Sequence, residues 1–139
     1  MKKIYLDIDG VLLTAKNTRA ADGVLPFLQF LTKHFDCYWL TTHCKGDAQI
    51  AVDYVKNYIA ESESHLEKIK PTNWNTLKTE AIDLKSDFYW LDDYPMMAEK
   101  LILQKNGVES SLIVVNLNSP NELNKIIQYI CSNEIESTD

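Results

Sequence analysis

The sequence predicts an α/β fold: a doubly wound, Rossmann-like parallel sheet of about five strands, with helices on both faces. Three observations carry this. Short apolar runs alternate with segments of helical spacing along the chain. The runs at 37–41 (CYWLT) and 87–92 (DFYWLD) are nearly continuous in apolar residues, as in strands covered on both faces. Three strand ends carry polar or acidic residues, and doubly wound sheets collect ligands at their strand ends.

The elements follow in order. Residues 3–8 read as a strand that runs into Asp7 and Asp9. Residues 14–23 (TAKNTRAADG) are polar and turn-rich, hence a loop. Pro26 suits the first turn of a helix over 26–35, where Phe27, Leu28, Phe30, Leu31 and Phe35 cover a sheet face. A strand at 37–41 ends in Thr41-Thr42-His43. From 47 to 60, Ile50, Ala51, Tyr54, Val55, Tyr58 and Ile59 keep helical spacing. Leu66 to Ile69 reads as a short edge strand stopped by Pro71. Residues 75–84 read as a helix through Leu77, Ala81, Ile82 and Leu84. A strand over 87–92 ends in Asp92-Asp93. A helix over 95–106 closes at Asn106-Gly107. Residues 111–116 form a strand. Ser119-Pro120-Asn121-Glu122 starts a last helix, with Ser as N-cap, and this runs to about Cys131. The connections leave no room for a second domain. Residues 1–131 are therefore expected to form one domain, with 132–139 a short acidic tail.

Composition narrows the function classes. The 139 residues are 45% hydrophobic and 24% charged, an ordinary globular balance. A net charge of −6 argues against a broad nucleic-acid-binding face. No apolar run approaches the ~20 residues of a membrane span. The basic start is followed at once by an aspartate-bearing strand, which is not a signal-peptide pattern. Cys37, Cys44 and Cys131 form no CxxC pair and no even framework, so neither disulfides nor a zinc site is expected, and a cytoplasmic setting is.

Asp7, Asp9, Asp92 and Asp93 all stand at strand ends. Right-handed crossovers bring such ends to one edge of the sheet. Carboxylates crowded there repel one another unless a cation intervenes, and an all-oxygen set favours a hard ion, Mg²⁺ first. An EF-hand reading of DIDGV fails, because Val11 stands where a polar ligand belongs and the context is a strand. A phosphorylated receiver domain is disfavoured because the middle strand ends in threonines rather than an aspartate.

These residues resemble the haloacid dehalogenase superfamily, whose members are mostly phosphohydrolases. The resemblance rests on DIDGV at 7–11, the apolar strand ending in Thr41, a helix lysine and WLDD at 90–93, and it spans residues 3 to about 116. It implies a Mg²⁺-dependent hydrolysis of a phosphate monoester through an aspartyl-phosphate. Asp7 would be the nucleophile and Asp9 the general acid and base. Thr41 would donate to a phosphoryl oxygen. Lys78, in TLKTEAI, fits the family's lysine better than Lys70, the other candidate. Asp7, the backbone carbonyl of Asp9, and Asp92 with or without Asp93 would hold Mg²⁺. Gly10 lets the chain turn past the site without a Cβ, and Thr42 and His43 would lie beside the substrate.

The resemblance also sets limits. The short 10–25 and 43–75 connections make this a capless pattern, so an open site would take a bulky phosphorylated substrate or be completed by a partner. Asp9 disfavours the dehalogenase reaction, whose catalysts lack that second aspartate, and the missing cap disfavours a phosphomutase. The alternative is a metal- or partner-binding module that keeps the acids without the turnover.

Overall fold

The computed structural model describes residues 1–137. Its centre is a four-stranded sheet in the order β2-β1-β3-β4. The strands are β1 (Lys3–Leu6), β2 (Asp36–Trp39), β3 (Phe88–Asp92) and β4 (Leu112–Val114), and every pairing is parallel. Leu6 lies opposite both Trp39 and Leu91, so the two central strands and β2 finish at nearly one level.

Alternation along the strands builds two apolar layers. Ile4, Leu6, Cys37, Trp39, Tyr89 and Leu91 face one side. There they meet α1 (Val24–His34), α2 (Ala48–Lys56), the single turn α3 (Glu63–Leu66) and α5 (Glu122–Ser137). Tyr5, Leu40, Phe88 and Trp90 face the other side, against Leu103 of α4 (Met97–Lys105) and Ile82. Helices therefore cover both faces, and no described helix is long and apolar enough to cross a membrane. Ala51, Val52 and Val55 of α2 and Leu66 of α3 pack into the same cluster as β1.

Three expected elements differ. The edge strand at 66–69 does not form, which is why the strand count is four rather than five. Leu66 ends the helical turn α3, and only Lys70 pairs with β2: its N–H donates to the Cys37 carbonyl at 2.9 Å and its carbonyl accepts from Trp39 at 2.8 Å. Pro71 follows and cannot donate to a ladder. The helix expected over 75–84 shrinks to a 3₁₀ turn at Lys78–Ala81. Glu80 reaches back to the N–H groups of Asn75, Thr76 and Leu77, so the segment before that turn is tied as a loop.

The last helix starts at Glu122 rather than at Ser119. Asn121 adopts a left-handed φ of 56°, and the Glu122 carboxylate accepts from the Asn116 N–H at 2.7 Å. That helix also passes Cys131 and continues to Ser137, because Ile126 and Ile130 hold it on the core. Thr138 and Asp139 of the expected tail lie outside the described residues.

The cysteines give a test of this packing. Cys37 and Cys44 are buried, and burial, then the nearby Asp36, pushes the Cys37 thiol up to about 12. Cys131, on α5, is partly exposed. Native protein should therefore release one thiol equivalent quickly to a disulfide reagent, mapped to Cys131 by peptide mass analysis. The other two should react only as fast as the fold opens. Fast modification of Cys37 would contradict the layer assignment.

Candidate functional site

Parallel pairing places the residues after β1 and at the end of β3 side by side. The Asp7 N–H donates to the Leu91 carbonyl at 3.1 Å, which fixes Asp7 next to Asp92. Asp92 is 1% exposed. Its Oδ1 accepts from the Tyr94 N–H at 3.0 Å. Two carboxylates held this way need a counter-charge, and Lys78 supplies one. Its Nζ donates to Asp7 Oδ2 at 3.0 Å and to Asp92 Oδ2 at 2.7 Å.

Lys78 is itself held from behind. Glu99 is buried; one of its oxygens accepts from the Lys78 N–H at 2.7 Å and the other from the Met96 N–H at 2.8 Å. One carboxylate thus ties the start of the 3₁₀ turn to the start of α4. Sequence reading missed this role. Its only signal was a glutamate at the third position of a helix, a common cap. Lys70, the other lysine considered, lies away from this cluster and pairs with Asp36 at 2.9 Å.

Asp7, Asp92 and Asp93 each present one oxygen, all within 4.8 Å of one another. Gly10 makes this approach possible. It has a φ of 83°, and a Cβ there would overlap the Asp93 carboxylate. The glycine expected to let the chain turn without a Cβ thus has a second, steric reason. The donor set fits a hard divalent cation: three carboxylates against one ammonium leave two negative charges. Burial, then the Asp92 carboxylate, pushes the Asp7 carboxyl up to about 6. Burial and Asp92 likewise raise Asp93. Burial opposes the charge on Lys78, but Asp7 and Asp92 outweigh it, so the ammonium titrates above the ordinary lysine range.

Asp9 stands apart from this cluster. Its Oδ2 lies 2.8 Å from His43 Nε2, and its Oδ1 accepts from the Tyr54 hydroxyl at 3.0 Å. The His43 and Tyr54 rings stack with centroids 4.1 Å apart and planes 15° apart. The stack fixes both donors, and the donors fix the carboxylate. The His43 contact accommodates either state of Asp9. An imidazole N–H donates to the carboxylate, and the other tautomer accepts from the carboxylic acid. Tyr54 was read only as part of an apolar helix face; a tyrosine hydroxyl on that face was the one available hint.

Thr41 is fully buried in a tight turn: its Oγ1 accepts from the His43 N–H at 3.3 Å, and its carbonyl accepts from Cys44 at 3.2 Å. Thr42 is exposed at the apex of that turn. The fold therefore gathers Asp7, Lys78, Asp92, Asp93 and Gly10 in one cluster, and Asp9 with His43 in a second. Trp39 and Trp90 are core residues, and Trp74 packs at the edge of the second layer with Lys45 over its ring at 4.2 Å.

No family model, curated protein or solved structure matches this chain.

Two measurements check the cluster. Mg²⁺ should raise the melting temperature by several degrees over protein in chelator, because a ligand bound only by the native state stabilises it. Asp92→Asn should lose most of that rise. Gly10→Ala should lose it too, since the methyl displaces Asp93, and should also cost about 1–2 kcal/mol for the left-handed backbone. A Gly10→Ala protein with the full Mg²⁺ response would refute the assigned packing.

Proposed function

We propose that this chain is a Mg²⁺-dependent phosphohydrolase of the haloacid dehalogenase type, acting on a phosphate monoester through an aspartyl-phosphate. The observation that carries the reading is the divergence of two aspartates spaced two apart. Asp7 lies in a carboxylate cluster with an ammonium 3.0 Å away, and Asp9 lies between an imidazole and a phenol. Nucleophile and acid need such different surroundings.

In this reading the ionised Asp7 oxygen attacks phosphorus, an acyl–phosphate bond forms, and the ester oxygen departs with its electron pair. Asp9 delivers a proton to that oxygen. Water then attacks the phosphorus, Asp9 takes up its proton, and the acyl–phosphate bond breaks to release inorganic phosphate and free Asp7. Lys78 orients Asp7 and stabilises its charge. A divalent cation on Asp7, Asp92 and Asp93 would offset the charge of carboxylate and phosphate together. In this reading His43 and Tyr54 hold the Asp9 side chain apart from the cation, where it can serve the leaving oxygen. Two short helical segments that pack into the main core at 48–66 support a capless, open site.

The test is hydrolysis of p-nitrophenyl phosphate, abolished by chelation and restored by Mg²⁺. Asp7→Asn should abolish both turnover and acid-stable phosphoenzyme. Asp9→Asn should lower turnover by about 10²–10⁴. With this activated leaving group, phosphorylation needs little protonation, so phosphoenzyme should accumulate in Asp9→Asn on quenched-flow labelling. Protein that responds to Mg²⁺ but hydrolyses nothing across a broad ester panel would instead support the binding-module reading.

The clamp makes a separate prediction. His43→Ala and Tyr54→Phe should each lower kcat about tenfold with KM within twofold, because they act through Asp9 rather than on substrate. His43→Gln, which keeps a donor, should recover part of the loss. A uniform fall in melting temperature without change in kcat would reduce the clamp to a packing feature.

A further inference from the structure

A cleft of about 580 Å³ opens beside the carboxylate cluster and shares Gly10 and Asp93 with it. This volume lies in the ~300–1,000 Å³ range of small-molecule sites. One wall is a small hairpin. Leu13 pairs with Ala20, and the Thr14 N–H donates to the Arg19 carbonyl at 2.8 Å. The opposite wall is the loop between β4 and α5, itself braced by Glu122 on Asn116. Both walls are thus held by hydrogen bonds before any ligand arrives.

The lining has a definite chemistry. Arg19 offers donors only, Asp22 acceptors only, and the amides of Asn17 and Asn118 offer both. These four residues are exposed, and none of their side chains has a hydrogen bond or ion pair with another described residue. A hydroxyl both donates and accepts, so a mixed set of this kind suits several hydroxyls on one ligand. The charges on the walls have both signs, which disfavours a strongly anionic second group. Among the described residues no aromatic side chain lines the cleft, so they offer no stacking surface to an aryl group or a nucleobase.

We infer that this cleft receives the distal part of the leaving group, beyond the ester oxygen that Asp9 serves, and that this part is hydroxyl-rich and non-aromatic, as in a phosphorylated polyol or sugar. The inference rests on the phosphohydrolase reading for the position of the phosphate, but the cleft's selectivity can be measured without turnover.

The experiment uses phosphonates, whose P–C bond is not hydrolysed, with the intact chain in Mg²⁺. Affinities are measured by calorimetry for phenylphosphonate, 2,3-dihydroxypropylphosphonate and a pentahydroxyhexylphosphonate. Affinity should rise along this series, with the last at least about tenfold tighter than the first. The double variant Arg19→Ala/Asn118→Ala should lose about that tenfold for the hexyl compound while phenylphosphonate stays within twofold. Equal or reversed affinities, no binding by any of the three, or a preference that survives the double variant would overturn the assignment. Graded binding by a protein that hydrolyses no ester would keep the cleft's chemistry and remove the phosphatase reading. Hydrolysis without graded binding would do the reverse.

Discussion

Asp7 and Asp92 project from the ends of neighbouring parallel strands, with the Lys78 ammonium between them at 3.0 and 2.7 Å. Like charges within 4.8 Å repel by roughly 3–4 kcal/mol at an effective dielectric of about 20. That is a large share of the ~5–15 kcal/mol stability of a domain. The sheet cannot place these groups together without the lysine, and the lysine cannot stay without its own anchor. Glu99 provides the anchor by capping two segments at once. The carboxylate cluster, the 3₁₀ turn and the start of α4 are therefore one unit. Perturbing any member exposes the charge of the others.

Asp9 escapes that unit because the chain leaves the strand at once. Leu6 is the last residue of β1, so the regular alternation that would align Asp7 and Asp9 on one face no longer applies. The N–H groups of Val11, Leu12 and Leu13 all turn back to the Ile8 carbonyl, and Gly10 takes a left-handed φ. This tight turn sends Asp9 toward the helix after β2 and leaves room for Asp93 on the other side. One residue type at two positions thus meets two sets of side chains because the backbone aims the two carboxylates apart.

What could be read from the sequence divides along the same physical line. The buried central strands were legible because continuous apolar runs such as CYWLT and FYWL have few other solutions. Asp7, Asp92 and Asp93 were legible because acids at the ends of such runs demand a reason, whereas Lys78 was singled out only through the family resemblance, since nothing in its local sequence sets it apart from Lys70. The edge was not legible. Leu66 to Ile69 is apolar enough for a strand, but a single residue, Lys70, makes the pairing, and periodicity cannot measure that. The 75–84 helix failed because Glu80 spends its carboxylate on three loop N–H groups, a tertiary arrangement with no periodic signature. Tyr54 and Glu99 were hidden for a related reason: each occupies a slot that ordinary helix packing or capping already explains.

Strand order then separates the tasks. With β1 and β3 at the centre of β2-β1-β3-β4, the carboxylate cluster sits at the middle of the sheet edge. The β2 side brings His43 and, through α2, Tyr54, both committed to Asp9. The β4 side brings the loop that forms the far wall of the cleft. Gly10 lies at the junction, lining the cleft on one side and following Asp9 in the chain. A Cβ at that junction would act in both directions. It would push Asp93 out of the cluster and distort the turn that aims Asp9, so the smallest residue in the segment holds the most constrained position in the site.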